Sequence, residues 1–171
     1  MDLCNESGIE NLSQQILERD GFIDIVVLSA GQIRQLSPIN SINFEDSRYI
    51  MELNYFSNLR LIKSFHALLK NSKNPQLAVI SSIIDEKKRP YWGIYQPIMH
   101  ALNELVLTYA SENKNSNIKA NIFYPGDVDT NFRNEIMPGE DKKKINKPED
   151  VAYKITEYVK NCNFSGEIIF I

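Results

Sequence analysis

Ile23-Asp24-Ile25-Val26-Val27-Leu28-Ser29 is the stretch that decides the fold. Ile23, Ile25 and Val27 fall on one face of an extended chain, and Val26 and Leu28 on the other. A short, β-branched run that is apolar on both faces predicts a parallel strand buried on both sides. Upstream of it, Ser7-Gly8-Ile9-Glu10 has the pattern of a capping box, the Ser7 hydroxyl reaching the Glu10 N–H and the Glu10 carboxylate reaching back. A helix is expected from there, with Ile9, Leu12, Ile16 and Leu17 at helical spacing and Asp20-Gly21 closing it.

Downstream the same cycle repeats without sequence similarity. A long helix is expected from about Phe44 to Leu69, carrying Ile50, Met51, Leu53, Leu61, Ile62, Phe65, Leu68 and Leu69, before Asn74-Pro75 and a strand from Leu77 to Ser81. A helix from Gly93 to Ser111, a strand from Ile118 to Tyr124, a helix opened by Pro148 and ending near Lys160, and a strand from Glu167 to Ile171 complete the chain. Helices alternating with four strands predict an α/β fold with a parallel sheet. Right-handed crossovers that step steadily in one direction place their helices on one face, yet these strands are apolar on both. Either the strand order reverses, or a piece that completes the sheet lies outside the chain, and the first strand presents an apolar edge.

The 171 residues, 43% apolar and 24% charged, suit one domain that buries roughly two-thirds of its unfolded surface without a disulfide or metal. Cys4 and Cys162 lie 158 positions apart with no Cys/His cluster, so no metal site is expected and the cytoplasm is the default compartment. No apolar run approaches the ~18 residues of a membrane span, and the first six residues lack the regions of a signal peptide. A net charge of −3 argues against nucleic acid. No two of the seven glycines are fewer than ten positions apart, so the sequence holds no glycine-rich phosphate loop.

Five motifs in order resemble the single-domain branch of the short-chain dehydrogenase/reductase family: Leu28-Ser29-Ala30-Gly31 after a strand; Asn54 in Met51-Glu52-Leu53-Asn54; Ser82 thirteen positions before Tyr95; Pro125-Gly126-Asp127-Val128-Asp129-Thr130 after a later strand; and the closing Pro148-Glu149-Asp150-Val151-Ala152 and Ser165-Gly166-Glu167-Ile168-Ile169. The resemblance spans about Asp2 to Ile171. It implies a partial Rossmann-type, doubly wound parallel sheet lacking its first strands and Gly-rich loop, with residues 1–171 as one domain forming the substrate-side half. It implies hydride transfer between NAD or NADP and a carbinol or carbonyl carbon of a small molecule. Tyr95 would then be the general acid/base, Ser82 would hold the substrate oxygen, and Asn54 would anchor a proton-relaying water chain. Ser29, Ala30, Gly31, Pro125, Gly126, Val128 and Thr130 would meet the cofactor, Gly31 near its ribose and Thr130 at its carboxamide, with Asp2 near the adenine.

Two departures qualify that activity. The family's tyrosine is followed four positions later by lysine, on the same helix face, and here that position is Met99. Methionine neither lowers the tyrosine pKa nor holds the nicotinamide ribose; His100 points about 100° away around the helix, and Lys87 and Lys88 lie in a loop. The glycine loop and the cofactor-selecting residue of the family precede the segment where this sequence starts, so independent cofactor binding is not expected.

Met99 reads as packing, Lys142-Lys143-Lys144 as a solvated loop, and His66 as a satisfied structural histidine, while Tyr91 and Trp92 either flank a substrate pocket or simply pack. Residues 131–146, where the family carries its substrate lid, are short and polar, which disfavours a large apolar substrate. Three readings follow. The first is an oxidoreductase-family protein that is catalytically impaired or silent. The second is an assembly partner, as a homo-oligomer or with a full-length homologue, using Tyr55, Phe56, Ile98 and Leu107 as apolar surface or accepting a strand at its open edge. The third is an active enzyme completed in trans or by an upstream segment.

Overall fold

The first helix starts two residues earlier than a capping box at Ser7 would place it. In the computed structural model, which describes residues 1–82 and 90–171, α1 spans Glu6–Arg19 and its cap is Asn5, whose side-chain oxygen accepts the Gly8 N–H at 3.2 Å. Ser7 lies inside the helix and donates its hydroxyl to the same Asn5 oxygen. The Asn5 amide carbonyl thus serves the orphan N–H of Gly8, where Ser7 was expected to serve that of Glu10. Gly21, at φ +78°, ends the segment in the left-handed region.

β1 (Ile25–Leu28) leads through a loop into α2 (Phe44–Met51), a π-turn (Glu52–Phe56) and α3 (Ser57–Lys70), so the expected long helix is continuous but carries one wide turn at its middle. β2 (Gln76–Ile80), α4 (Tyr95–Glu112), β3 (Lys119–Tyr124), a short α5 (Asn131–Ile136), α6 (Pro148–Asn161) and β4 (Ile168–Phe170) follow. The four strands are parallel in the order β1-β2-β3-β4, with Leu28 opposite Val79, Ile80 opposite Phe123 and Tyr124 opposite Phe170.

The alternation of side chains along each strand divides the core in two. Leu77, Val79, Ala120 and Ile122 point to one face, where they meet Ile9 of α1, Ile50 of α2, Leu61 and Leu68 of α3, and Leu102 and Val106 of α4. Ala78, Phe123 and Ile169 point to the other, where α6 supplies Val151, Ile155 and Val159. The strand order therefore does not reverse, and the second face is partly covered by a device the sequence did not suggest. The step from β3 to β4 continues in the same direction as the two before it, but its helix lies on the opposite face, so this crossover has the opposite hand.

α6 does not reach β1. Val26 and Leu28 are buried, but Ile25 and Val27 are 46% and 49% exposed, so β1 is covered on one face and not on both as its apolar run predicts. Ile98 corrects another expectation: it is 1% exposed, inside the core, and offers no surface beside the exposed Phe56. His66 is held by Tyr109, its Nδ1 lying 2.9 Å from the tyrosine hydroxyl. Among the described residues no helix is long and apolar enough to cross a membrane.

Candidate active site

Parallel strands bring all their carboxyl ends to one edge of the sheet, and loops leaving that edge can converge on a cleft. Here the loops after β1, β2 and β3 carry Ser29-Ala30-Gly31, Ser81-Ser82 and Pro125 to Thr130, and together with α4 and α6 they line one cleft of about 680 Å³. Ser82, Tyr95, Ser29, Ala30, Gly31, Pro125, Gly126, Val128 and Thr130 all line it, as does Met99. Two expected site residues do not. Asp2 lies in the turn before α1, where its carboxylate accepts the Cys4 N–H at 2.9 Å. Asn54 sits behind the cleft wall.

Asn54 performs a structural task that its residue type suits. Its side-chain amide donates to the Gln32 carbonyl at 2.7 Å and its side-chain oxygen accepts the Gln32 N–H at 2.8 Å, a two-way clamp between the π-turn and the loop after β1. A Cβ on Gly31 would lie 2.9 Å from that oxygen, so here the glycine is required by Asn54. A π-turn displaces carbonyls from their helical partners. The Leu53 carbonyl accepts the Ser57 hydroxyl at 2.6 Å, and the Asn54 carbonyl accepts the Asn58 side-chain amide at 2.8 Å. Asn54 is therefore a positioning residue, its polar groups spent on backbone and on Asn58.

Tyr95 opens α4, and Met99 and Asn103 follow at steps of four, so the three share a face. Tyr95 is hydrogen-bonded to the Ser82 side chain. Asn103, fully buried, donates its amide to the Ser82 carbonyl at 3.4 Å and accepts the Ser81 hydroxyl, which fixes the end of β2 against the helix. Burial pushes the Tyr95 phenol up to about 12, with the Ser82 hydrogen bond pulling the other way. Met99, buried one turn further on, brings no positive charge to oppose the shift. Lys87 and Lys88 lie outside the described residues.

The loop after β3 is held from the far side by residues 131–146, the polar segment where the resemblance expects a lid. Gly126 takes φ +71°, a conformation that favours glycine. The Asn146 side chain donates to the Pro125 carbonyl at 2.9 Å, and its backbone exchanges hydrogen bonds with Asp127 and Asp129. Thr130 caps α5 by accepting the Arg133 N–H at 3.2 Å. Arg133, buried, donates from Nε and one terminal nitrogen to Glu140 at 2.6 and 2.5 Å and from the other to Asp127 at 2.7 Å. Lys142, Lys143 and Lys144 form an exposed turn in which Lys142 reaches Asp129 at 3.2 Å.

Aromatic side chains close this end of the cleft. The Trp92 ring lies 5.8 Å from Tyr95 and the Phe132 ring 5.9 Å from it on α5, so the polar lid presents an aromatic ring inward. Trp92 lines the cleft, while Tyr91 is exposed and outside it. Tyr91 adopts φ +72°, which costs a bulky residue about 1–3 kcal/mol and is held by the Ser37 N–H on its carbonyl at 3.0 Å. Asn103, Asn58, Arg133 and Phe132 were not singled out from sequence. Asn103 carried a signal, an amide on an otherwise apolar helix stripe, which implies a buried partner.

A family model described as short chain dehydrogenase matches residues 1–141. Dehydrogenase/reductase SDR family member 7B of Rattus norvegicus is 28% identical over 131 residues, 77% of this chain and 40% of its own length. The chain spans 40% to 59% of the length of the curated relatives it matches. A short chain dehydrogenase from Salmonella enterica serovar Typhi superposes with a TM-score of 0.92 at 21% identity, over 99% of this chain and 72% of its own. One from Shigella flexneri 2a, solved in complex with NADP, superposes with a TM-score of 0.91 at 23% identity, again over 99% and 72%.

Proposed function

The chain belongs to the short-chain dehydrogenase family, and from that premise we propose that its cleft is the substrate-side half of an NAD(P)-dependent oxidoreductase site for alcohols and carbonyl compounds, with proton transfer impaired by Met99. The observation that carries this reading is the hydrogen-bonded Ser82–Tyr95 pair in a cleft lined by the loops after all three of β1, β2 and β3. The residues present fit the nicotinamide end of such a cofactor: Ser29 to Gly31 offer exposed backbone, and Gly126 lets the loop to Thr130 turn along the same cleft. They do not supply a glycine cradle for the pyrophosphate, because no two glycines lie fewer than ten positions apart in the sequence. When bound, NAD(P) supplies or accepts the hydride.

The chain's own residues then handle the substrate oxygen and its proton. Ser82 donates to that oxygen, and the Tyr95 hydroxyl gives or takes the proton. A phenol at about 12 is ionised in roughly one molecule in 10⁵ at pH 7, so it is a poor base and a weak acid. Calorimetric titration of this 171-residue chain with NADH or NADPH is expected to show no binding up to millimolar cofactor, and micromolar affinity would overturn the missing grip. Residual carbonyl reduction at a large excess of NADPH is expected to vanish in Tyr95→Phe; turnover that survives would reject Tyr95 as the proton donor.

The open face of β1 favours a second reading, in which the chain works by assembling with another polypeptide. Ile25 and Val27 are exposed on an edge strand, where a further strand and its cover would bury them. Sedimentation at micromolar concentration is expected to show a dimer or larger, and a strictly monomeric profile counts against this reading.

A further inference from the structure

We propose that the Tyr95 end of the cleft is a subsite for an uncharged aromatic carbonyl compound or its alcohol, an aryl ketone or aryl carbinol, rather than for an aliphatic or an anionic one. The inference rests on the preceding reading of Ser82 and Tyr95 and adds the class of molecule they face.

Trp92, just before α4, and Phe132, on α5, both meet Tyr95, with ring centroids 5.8 and 5.9 Å from it, and Met99 lines the same cleft one helical turn on. A flat ring entering here meets aromatic edges and a thioether, both of which prefer a π-system over a saturated group of equal size. The placement of Trp92 is enforced. The preceding Tyr91 is held at φ +72°, Trp92 pairs with Ser37 in a parallel bridge, and a Cβ on Gly93 would lie 2.6 Å from Ile39. Three separate constraints fix the turn that aims the indole into the cleft. Ser82 and Tyr95 present a hydrogen-bonded pair of hydroxyls here, which suits one neutral oxygen, and Gln96 beside them adds an uncharged amide to the lining. Among the described residues lining the cleft two are cationic: Arg133 already has its Nε and both terminal nitrogens on carboxylates, and Lys160 is paired with Glu157 at 3.4 Å on α6, so neither offers a spare counter-charge beside Tyr95.

Trp92 is the sole tryptophan of the chain, so its fluorescence reports occupancy of the subsite directly. The full chain is titrated, without cofactor, with 1-phenylethanol, 1-cyclohexylethanol and mandelate, following Trp92 emission excited at 295 nm and checking each affinity by saturation-transfer NMR. The expected result is that 1-phenylethanol binds about tenfold more tightly than 1-cyclohexylethanol and that mandelate gains nothing from its carboxylate. Phe132→Leu is expected to remove several-fold of the preference for the aryl ligand. Equal affinity for phenyl and cyclohexyl carbinols, or tighter binding of mandelate, would overturn the proposal even if Phe132→Leu fails to fold. Binding is read here without turnover. Selective binding with no residual reduction of acetophenone even at a large excess of NADPH would therefore count against the oxidoreductase reading and leave the subsite standing, whereas residual reduction without aryl selectivity would do the reverse.

Discussion

Replacing Arg133 by methionine is expected to lower the stability of the domain by about 3 kcal/mol, a large part of the ~5–15 kcal/mol that holds a domain folded. The guanidinium lies between Asp127 and Glu140, and the substitution leaves both carboxylates without its charge in a site that sees little water. Removing one member of a buried pair typically costs about 3–5 kcal/mol, and the lower figure is chosen because the Asp127 and Glu140 side chains keep 36% and 21% of their exposure. Urea denaturation checks this as a fall in the midpoint. The triple variant Asp127→Asn, Arg133→Met, Glu140→Gln is expected to recover much of the loss, because it removes the charges together with their partner. The loss also has a local signature. Arg133 ties the loop after β3 to the lid, so amide exchange at Asp129 and Thr130 is expected to rise in the single variant. A stability change below about 1 kcal/mol would show that the network is solvated rather than structural.

Met99→Lys is expected to bring the Tyr95 phenol down by about 1–3 pH units from its present value near 12, the range produced by an opposite charge within ~4–6 Å. The two residues are four apart on α4 and line the same cleft, so the ammonium can lie beside the phenol with its hydration partly kept. Tyrosine-ring ¹³C NMR, with Tyr95→Phe assigning the signal, reads the shift directly and needs no cofactor. An unmoved titration would place the new ammonium away from the phenol. The same group sets a stability term at high pH. The folded phenol keeps its proton up to about 12, while an unfolded tyrosine releases it near 10. Stability is therefore unaffected by this group below pH 10 and falls as pH rises from 10 to 12, by about 3 kcal/mol. Tyr109 is raised in the same direction, by burial and then by Glu112, so the comparison of wild type with Tyr95→Phe isolates the Tyr95 contribution.

The α/β alternation was legible because strand and helix periodicities differ and each segment is long enough to show its own. The expected strands fall within a residue or two of those observed; the largest difference is at β1, where Ile23, Asp24 and Ser29 lie outside the strand. Caps were read less well. Ser7 and Asn5 both suit an N-cap, and only the path of the chain entering α1 chooses between them. The π-turn at Asn54 has no local signal in the sequence, and the side chain that it carries pairs with Gln32 across 22 positions. The site followed the same division. Ser82 and Tyr95 were legible through the family resemblance, whereas Asn103, Phe132 and Arg133 act through partners between 6 and 37 positions away and have no local pattern.

By itself the sequence determined the order of elements and the parallel sheet, because each is written in local periodicity, while the Ser82–Tyr95 pair and the departure at Met99 were legible only through the family resemblance. Tertiary structure alone decided the hand of the last crossover, which sends α6 to the second face and leaves Ile25 and Val27 open. It alone decided that Asn54 clamps a loop instead of lining the cleft, and that Trp92 and Phe132 meet over Tyr95. The physical reason is that periodicity states which side of an element is apolar. Which other element covers that side, and how far across the sheet it reaches, depends on contacts between residues distant in the chain, and those are fixed only when the layers pack.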